Sequence, residues 1–262
     1  MQRICCMSYA VCCVAVAPVR AEPDHKSEMI SQLLFGECCI ITFVVKDGWI
    51  KIVSKLDAYS GWCSLAHFQE IDDTQYYTEE RMLTADWVNE VDYNGHMMWL
   101  PLGCSLTAMQ NGNMFWRKNT VHYTGNIWDP ATAKHNAKTV KQLAFKFLNT
   151  TYLWGGKSIF GIDCSGFTQS VYKFLNIQLF RDAQQQATQG ELVSFLQEAQ
   201  CGDLAFFDNE EGSIVHVGLL LNQREIIHAS GKVKIDKIDN EGIVEPDTGN
   251  RTQRLRIIKR FF

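Results

Sequence analysis

The chain contains no Cys-x-x-Cys, no His-Glu-x-x-His and no apolar run of membrane-spanning length, although 46% of its 262 residues are hydrophobic. The first two gaps remove the commonest spacing signals of bound zinc. The third removes a transmembrane helix, which needs about 20 consecutive apolar residues. Excess charge of either sign is also missing: 25 Lys and Arg against 29 Asp and Glu leave a net charge of −4, with a pI near 6.0. Phosphate binding needs a basic face, so nucleic acid is not an expected partner. Lys and Arg gather only from Arg251 to Arg260, interleaved with Leu255, Ile257 and Ile258, as on a final edge strand with one solvated face. The ten cysteines lack the spacing of a disulfide framework, and the adjacent pairs Cys5-Cys6, Cys12-Cys13 and Cys38-Cys39 would point to opposite faces of a strand. Such usage suits a reducing compartment. Arg3, the apolar stretch to Ala17 and Val19-Arg-Ala21 imitate a weak export signal, but cleavage after Ala21 would remove an expected opening strand. A cytoplasmic location is therefore expected, with export as the alternative.

What is present is concentrated in the second half. Gly161-Ile-Asp-Cys-Ser-Gly-Phe167 places Cys164 at the start of an expected helix, with Asp163 as cap and Phe167, Val171, Phe174 and Leu175 at helical spacing. A thiol attacks only after losing its proton, and the N–H groups and positive dipole end of a helix N-terminus stabilise a thiolate. Cys164 is the candidate nucleophile. Upstream, Tyr152-Leu-Trp-Gly-Gly156 ends in a glycine pair that permits close backbone approach. Downstream, residues 213–221 and 225–229 are β-rich runs around Asn222-Gln-Arg224. A hairpin with those three residues as its loop puts His216 and His228 on one face as diagonal neighbours, roughly 7–8 Å apart, so that one imidazole can hydrogen-bond the other. A slip of one residue would send the rings to opposite faces.

Taken singly, a buried cysteine is usually a small core residue and a strand histidine a satisfied structural one. The conjunction argues otherwise. Asp-Cys-Ser-Gly at a helix start is followed by an alternating strand, Gly202-Asp-Leu-Ala-Phe-Phe207, then by His-Val-Gly and His-Ala-Ser strands. A zinc site of Cys164, His216 and His228 is the intermediate alternative, because thiolate and imidazole are good zinc ligands. With no metal motif beside it, neither metal nor cofactor is expected.

From about Thr139 to the C-terminus, Tyr152, Trp154-Gly-Gly156, Asp163-Cys-Ser-Gly166, Gly202-Asp203, His216-Val-Gly218 and His228-Ala-Ser230 together resemble the NlpC-type family of cell-wall cysteine peptidases, in order. The resemblance implies an α+β, papain-like catalytic domain over residues 131–262. It implies Cys164 as nucleophile, His216 as general base and His228 as the third polar residue, with Tyr152 beside the nucleophile and Asp163 and Ser165 holding substrate. Phe180 stands where relatives often carry proline. Arg181, Asp182 and Gln184-Gln-Gln186 read as a polar structural loop.

Residues 9–68 hold short apolar strands, at 38–45 and 48–53 among others, with no long helical pattern. Residues 16–23 and 32–37, with Asp47-Gly-Trp49 and Tyr59-Ser-Gly-Trp62, resemble a bacterial SH3-like domain of the kind fused ahead of NlpC-type domains. It is placed at 1–75. Arg81 to Trp128, with Gly95, Gly103, Gly112 and Gly125 between short apolar runs, suggests a second, divergent barrel within 76–130. Residues 131–148 read as a helix with Ala137, Val140, Ala144, Phe145 and Leu148 on one face.

The subgroup most resembled, the γ-D-glutamyl-L-diamino-acid endopeptidases, requires the free amino end of an L-Ala-γ-D-Glu stem peptide. The implied partner is thus a murein peptide, and a buried ammonium needs anions around it. Asp163 is one candidate. Glu28 and Tyr59 of the first barrel are others, against the readings of a solvated loop carboxylate and a packed ring. The implied chemistry is acyl transfer through a thioester, with the oxyanion facing the Cys164 N–H and, as candidate second donor, the Tyr152 hydroxyl. An amidase or acyltransferase on the same fold, and a non-catalytic wall-binding module, are the alternatives.

Overall fold

The computed structural model describes residues 7–45, 47–78, 82–245 and 249–262. Arg3 and Cys5-Cys6 of the signal-like segment, and Arg81 at the opening of the second expected barrel, lie outside the described residues. The chain divides into two units, Met1–Ala131 with Trp154–Ile159, and Thr132–Leu153 with Phe160–Phe262. Among the described residues no helix is long and apolar enough to cross a membrane.

The first unit is almost entirely β. Strands β1 (Ser8–Cys12), β2 (Val16–Arg20), β3 (Met29–Leu34), β4 (Cys38–Val44), β5 (Trp49–Ser54), β6 (Ser60–Ser64) and β7 (Phe68–Glu70) form one sheet in the order β3-β2-β6-β5-β4-β1-β7. The period of two sends Ala17 and Val19 of β2 inward, to pack with Ala10, Ile50, Ile52 and Cys63. Ala17 and Val19, part of the stretch that imitates an export signal, are thus core residues. A short helix, α1 (Asp73–Tyr77), is capped by the Asp72 side chain, which accepts from the Gln75 N–H. It precedes β8 (Leu83–Thr84), β9 (Val88–Tyr93), β10 (His96–Pro101), β11 (Asn113–Trp116), β12 (Asn119–His122) and β13 (Ile127–Trp128). Four of these form a sheet, β10-β9-β12-β11, and β13 pairs with β8. Val91, Leu100, Met114 and Trp116 of this second sheet share a core with Val11 and Leu34 of the first and with Phe35 in the turn after β3. The short strand β14 (Lys157–Ser158) belongs to this unit, where the Lys157 N–H donates to Gln32 Oε1 at 2.8 Å.

The second unit is α+β. Helix α2 (Ala137–Phe145) starts where the Asn136 side chain accepts from the Thr139 N–H, so the helix is shorter than residues 131–148; Pro130–Thr132 is only a 3₁₀ turn. Its buried face is Val140, Leu143 and Ala144, while Phe145 and Leu148 point outward. Then come β15 (Gly161–Ile162), α3 (Cys164–Phe174), α4 (Ala183–Gln186), β16 (Glu191–Val193), β17 (Leu204–Asp208), β18 (Ile214–Asn222), β19 (Glu225–Ser230), β20 (Lys232–Ile238), β21 (Gly242–Val244) and β22 (Arg251–Arg260). The strands run β16-β22-β17-β18-β19-β20-β21, and a further pairing of β21 with β22 closes six of them into a ring. The expected edge strand, β22, is therefore an interior one. Ile258 packs into the core, and Arg254 and Arg260 grip Asp208 and Asp203 through paired bonds of 2.7–2.9 Å. Because β17 lies between β22 and β18, it is buried at every position instead of alternating. Helix α3 packs on β18 and β19, which is what brings its first residue to the histidines.

Candidate active site

Asp163 Oδ1 accepts from the Gly166 N–H at 2.6 Å, and this cap starts α3 at Cys164. The buried Cys164 thiol lies beside the backbone of Val217 and Ser165, both of which favour its ionised form. Val217 follows His216 on β18, so the thiol is set against the strand that carries the histidine.

The hairpin that carries both histidines is built differently from the sequence expectation. Asn222 pairs with Glu225, leaving a two-residue loop, and its Oδ1 accepts from the Arg224 N–H at 2.8 Å. That register alone would put the two imidazoles on opposite faces. An irregularity between Leu220 and Asn222 restores the pairing Leu219 with Ile227, and the rings return to one face. His216 Nε2 lies 2.8 Å from His228 Nδ1, with the rings nearly perpendicular and their centroids 5.1 Å apart. Gly218 makes room for this: a Cβ there would lie 2.8 Å from His228 Cβ.

The sequence reading missed Asp236. Strand β20 turns back on β19 through Gly231, at φ +69°, and pairs Lys234 with His228. Two residues on, buried Asp236 shares that face, its Oδ2 lying 3.0 Å from His228 Nε2 and 2.9 Å from Lys234 Nζ. Counting faces outward from the Ser230-Gly-Lys232 turn would have found it. Burial raises the Asp236 pKa, but hydrogen bonds from His228 and Lys234 outweigh it and hold the carboxyl below its usual range. An ionised carboxylate only accepts, so His228 Nε2 carries a proton and its Nδ1 accepts from His216 Nε2–H. The free lone pair of His216 is then on Nδ1.

Burial, then the neighbouring His228 imidazole, takes His216 down to about 3. Burial, then the Asp163 carboxylate, pushes Cys164 up to about 11, against backbone hydrogen bonds and Arg181. Each charge is disfavoured alone, so sulfur and imidazole stay neutral together or ionise together by proton transfer. A consequence for stability follows from His216. An unfolded histidine takes up a proton near pH 6.5, the folded one only near 3. Stability from this group is therefore full above about 6.5 and falls by up to about 1.4 kcal/mol per unit as pH drops towards 3. Urea unfolding at pH 6.5, 5.5 and 4.5 should show a shallower decline for His216→Gln than for the native chain; parallel declines would contradict this.

Tyr152 is held by its N–H donating to the Gly231 carbonyl at 3.0 Å and by a bridge to Ile162. Burial, then Cys164 and Asp163, pushes its phenol up to about 12, so it remains a donor at neutral pH. Arg181 lies in the polar structural loop expected there, just ahead of α4, which takes in the glutamine run, but it is buried. Its side chain is 1% exposed, and its guanidinium donates to Asp163 Oδ2 at 2.5 Å, Asp163 Oδ1 at 3.0 Å and Ser165 Oγ at 2.9 Å. Gln186 of the same stretch donates to the Ser165 carbonyl at 3.0 Å. Cys164, His216, His228, Tyr152, Asp163 and Ser165 thus belong to the second unit, and Glu28 and Tyr59 to the first. There Glu28 is exposed, with Oε1 accepting from Trp154 Nε1 at 2.6 Å, and half-buried Tyr59 donates its N–H to Asp57 Oδ1 at 3.1 Å. Among the described residues no cluster of three or more His, Cys, Asp or Glu side chains is arranged to hold a metal ion.

Residues 149–252 match the NlpC/P60 family and residues 19–68 the bacterial dipeptidyl-peptidase SH3 domain. The γ-D-glutamyl-L-lysine dipeptidyl-peptidase of Bacillus subtilis is 43% identical over 222 residues, spanning 76% of this chain and 71% of that protein. The chain belongs to the NlpC/P60 family of cysteine peptidases. The γ-D-glutamyl-L-lysine dipeptidyl-peptidase of Bacillus cereus is 30% identical over 262 residues, 87% of this NlpC/P60 chain and 76% of its own length. A crystal structure of an NlpC/P60 family protein from Bacillus cereus superposes with a TM-score of 0.79 at 20% identity, covering 97% of this chain and 99% of the other. The fold is thus that of an NlpC/P60 papain-like α+β unit preceded by an SH3-like all-β region.

Proposed function

We propose that this NlpC/P60 peptidase hydrolyses the bond between γ-D-glutamate and an L-diamino acid in murein stem peptides bearing a free N-terminal L-Ala. The hydrogen-bonded series Asp236, His228, His216, ending beside the helix that begins with Cys164, carries the reading. The names of the relatives, γ-D-glutamyl-L-lysine dipeptidyl-peptidase, support the choice of bond.

In this account His216 Nδ1 takes the Cys164 proton as the sulfur attacks the γ-glutamyl carbonyl. The oxyanion meets the Cys164 N–H at the open end of α3 and the Tyr152 hydroxyl. The imidazolium returns its proton to the departing amine, and water activated by the same ring hydrolyses the thioester. His228 holds the ring, and Asp163 and Ser165 contribute to substrate binding. Glu28 and Tyr59 are assigned to the substrate ammonium on the strength of their motifs. We assign residues 1–75 and 76–130 to two SH3-like domains and 131–262 to the catalytic domain, and infer from the cysteine usage that the enzyme recycles wall peptides in the cytoplasm.

Incubation with L-Ala-γ-D-Glu-L-lysine and its diaminopimelate counterpart under reducing conditions should release L-Ala-γ-D-Glu. Turnover should survive chelators and end on alkylation of Cys164. N-acetylating the substrate should lower kcat/KM by about 10²-fold or more, as expected when a buried charge partner is removed. Equal rates on free and acetylated peptide would remove ammonium recognition, and cleavage elsewhere would remove the assigned bond.

A further inference from the structure

The geometry points to Arg181 as a positioning residue that neutralises the Asp163 carboxylate and holds the residues on both sides of Cys164, so that the sulfur can ionise. The inference rests on the reading of Cys164 as nucleophile. Asp163 is needed as the cap of α3, yet it places an anion one residue from the atom on which negative charge must develop. Like charges at that range oppose ionisation. The Asp163 side chain therefore helps to build the site and hinders its chemistry unless something cancels its charge.

Arg181 does so from the interior. Its guanidinium is a planar fork that keeps its charge when buried and matches a carboxylate with two parallel bonds, here 2.5 and 3.0 Å long. The same Nη1 reaches Ser165 Oγ at 2.9 Å, so one rigid group spans positions 163 and 165 and fixes the backbone of 164 between them. Seen from the sulfur, Asp163 raises the thiol pKa and Arg181 lowers it, consistent with that arrangement. The other titratable groups of the site are Tyr152 ahead of β15, which senses the charges of both Asp163 and Arg181, His216 on β18, His228 on β19 and Asp236 on β20.

The test is the rate of iodoacetamide labelling at Cys164 from pH 6 to 10, resolved by peptide mass, in the full-length native chain, R181Q and D163N/R181Q. The double variant keeps a cap, because an asparagine Oδ1 also accepts the Gly166 N–H. R181Q should label at least about fivefold more slowly than the native chain at pH 8, with its profile moved to higher pH, and D163N/R181Q should return to within about fivefold of native. A smaller effect of R181Q, or a double variant outside that range, overturns the proposal. Should R181Q fail to fold by circular dichroism, the double variant decides by the same fivefold limit. Persistent turnover by C164A would remove the nucleophile assignment, while the labelling comparison would still report on Arg181.

Discussion

Replacing Cys164 by alanine should lower kcat/KM on the murein tripeptide by about 10⁴–10⁶-fold, because no other group can form the thioester and only binding and the oxyanion donors remain. The melting temperature should change by only a few degrees. The substitution removes one sulfur from a buried site and leaves the Asp163 cap and the Phe167 and Val171 packing of α3 in place. Steady-state rates and a thermal scan on the same preparation separate loss of chemistry from loss of fold. A variant that retains a tenth of native turnover would remove the sulfur from the mechanism.

Asp236→Asn should have the next largest effect, a loss of about 10²–10⁴-fold that falls mainly on kcat. The ionised carboxylate fixes the His228 proton on Nε2 and so leaves the His216 lone pair on Nδ1. An amide can present its NH₂ instead, which allows His228 to carry its proton on Nδ1 and to donate to His216 Nε2. His216 then holds its proton on Nδ1 and has no lone pair to receive one from the thiol. The substitution is nearly isosteric, so substrate binding should hold. A raised KM with unchanged kcat would show that Asp236 serves packing and not proton position.

The helix behind the nucleophile was legible because an N-cap and a 3.6-residue apolar repeat lie side by side in the chain, from Asp163 to Leu175. The shared face of the histidines was legible for a less direct reason. A three-residue loop, and a two-residue loop followed by a one-residue bulge near Leu221, give the same parity, so the expected face emerged although the loop did not. Asp236 was hidden because a single glycine turn separates its strand from that of His228, and its relevance is a diagonal contact. The interior position of β22 depends on pairing with β16, β17 and β21, which no local pattern encodes. Arg181 stands in an irregular stretch where polarity suggests solvent; its burial is decided by a partner 18 residues away.

The most direct measurement is acid quenching of the native enzyme during turnover of L-Ala-γ-D-Glu-L-lysine, followed by peptide-resolved mass analysis. The peptide containing Cys164 should carry an L-Ala-γ-D-Glu thioester that hydroxylamine removes. Full turnover by enzyme whose Cys164 is shown to be alkylated would contradict it.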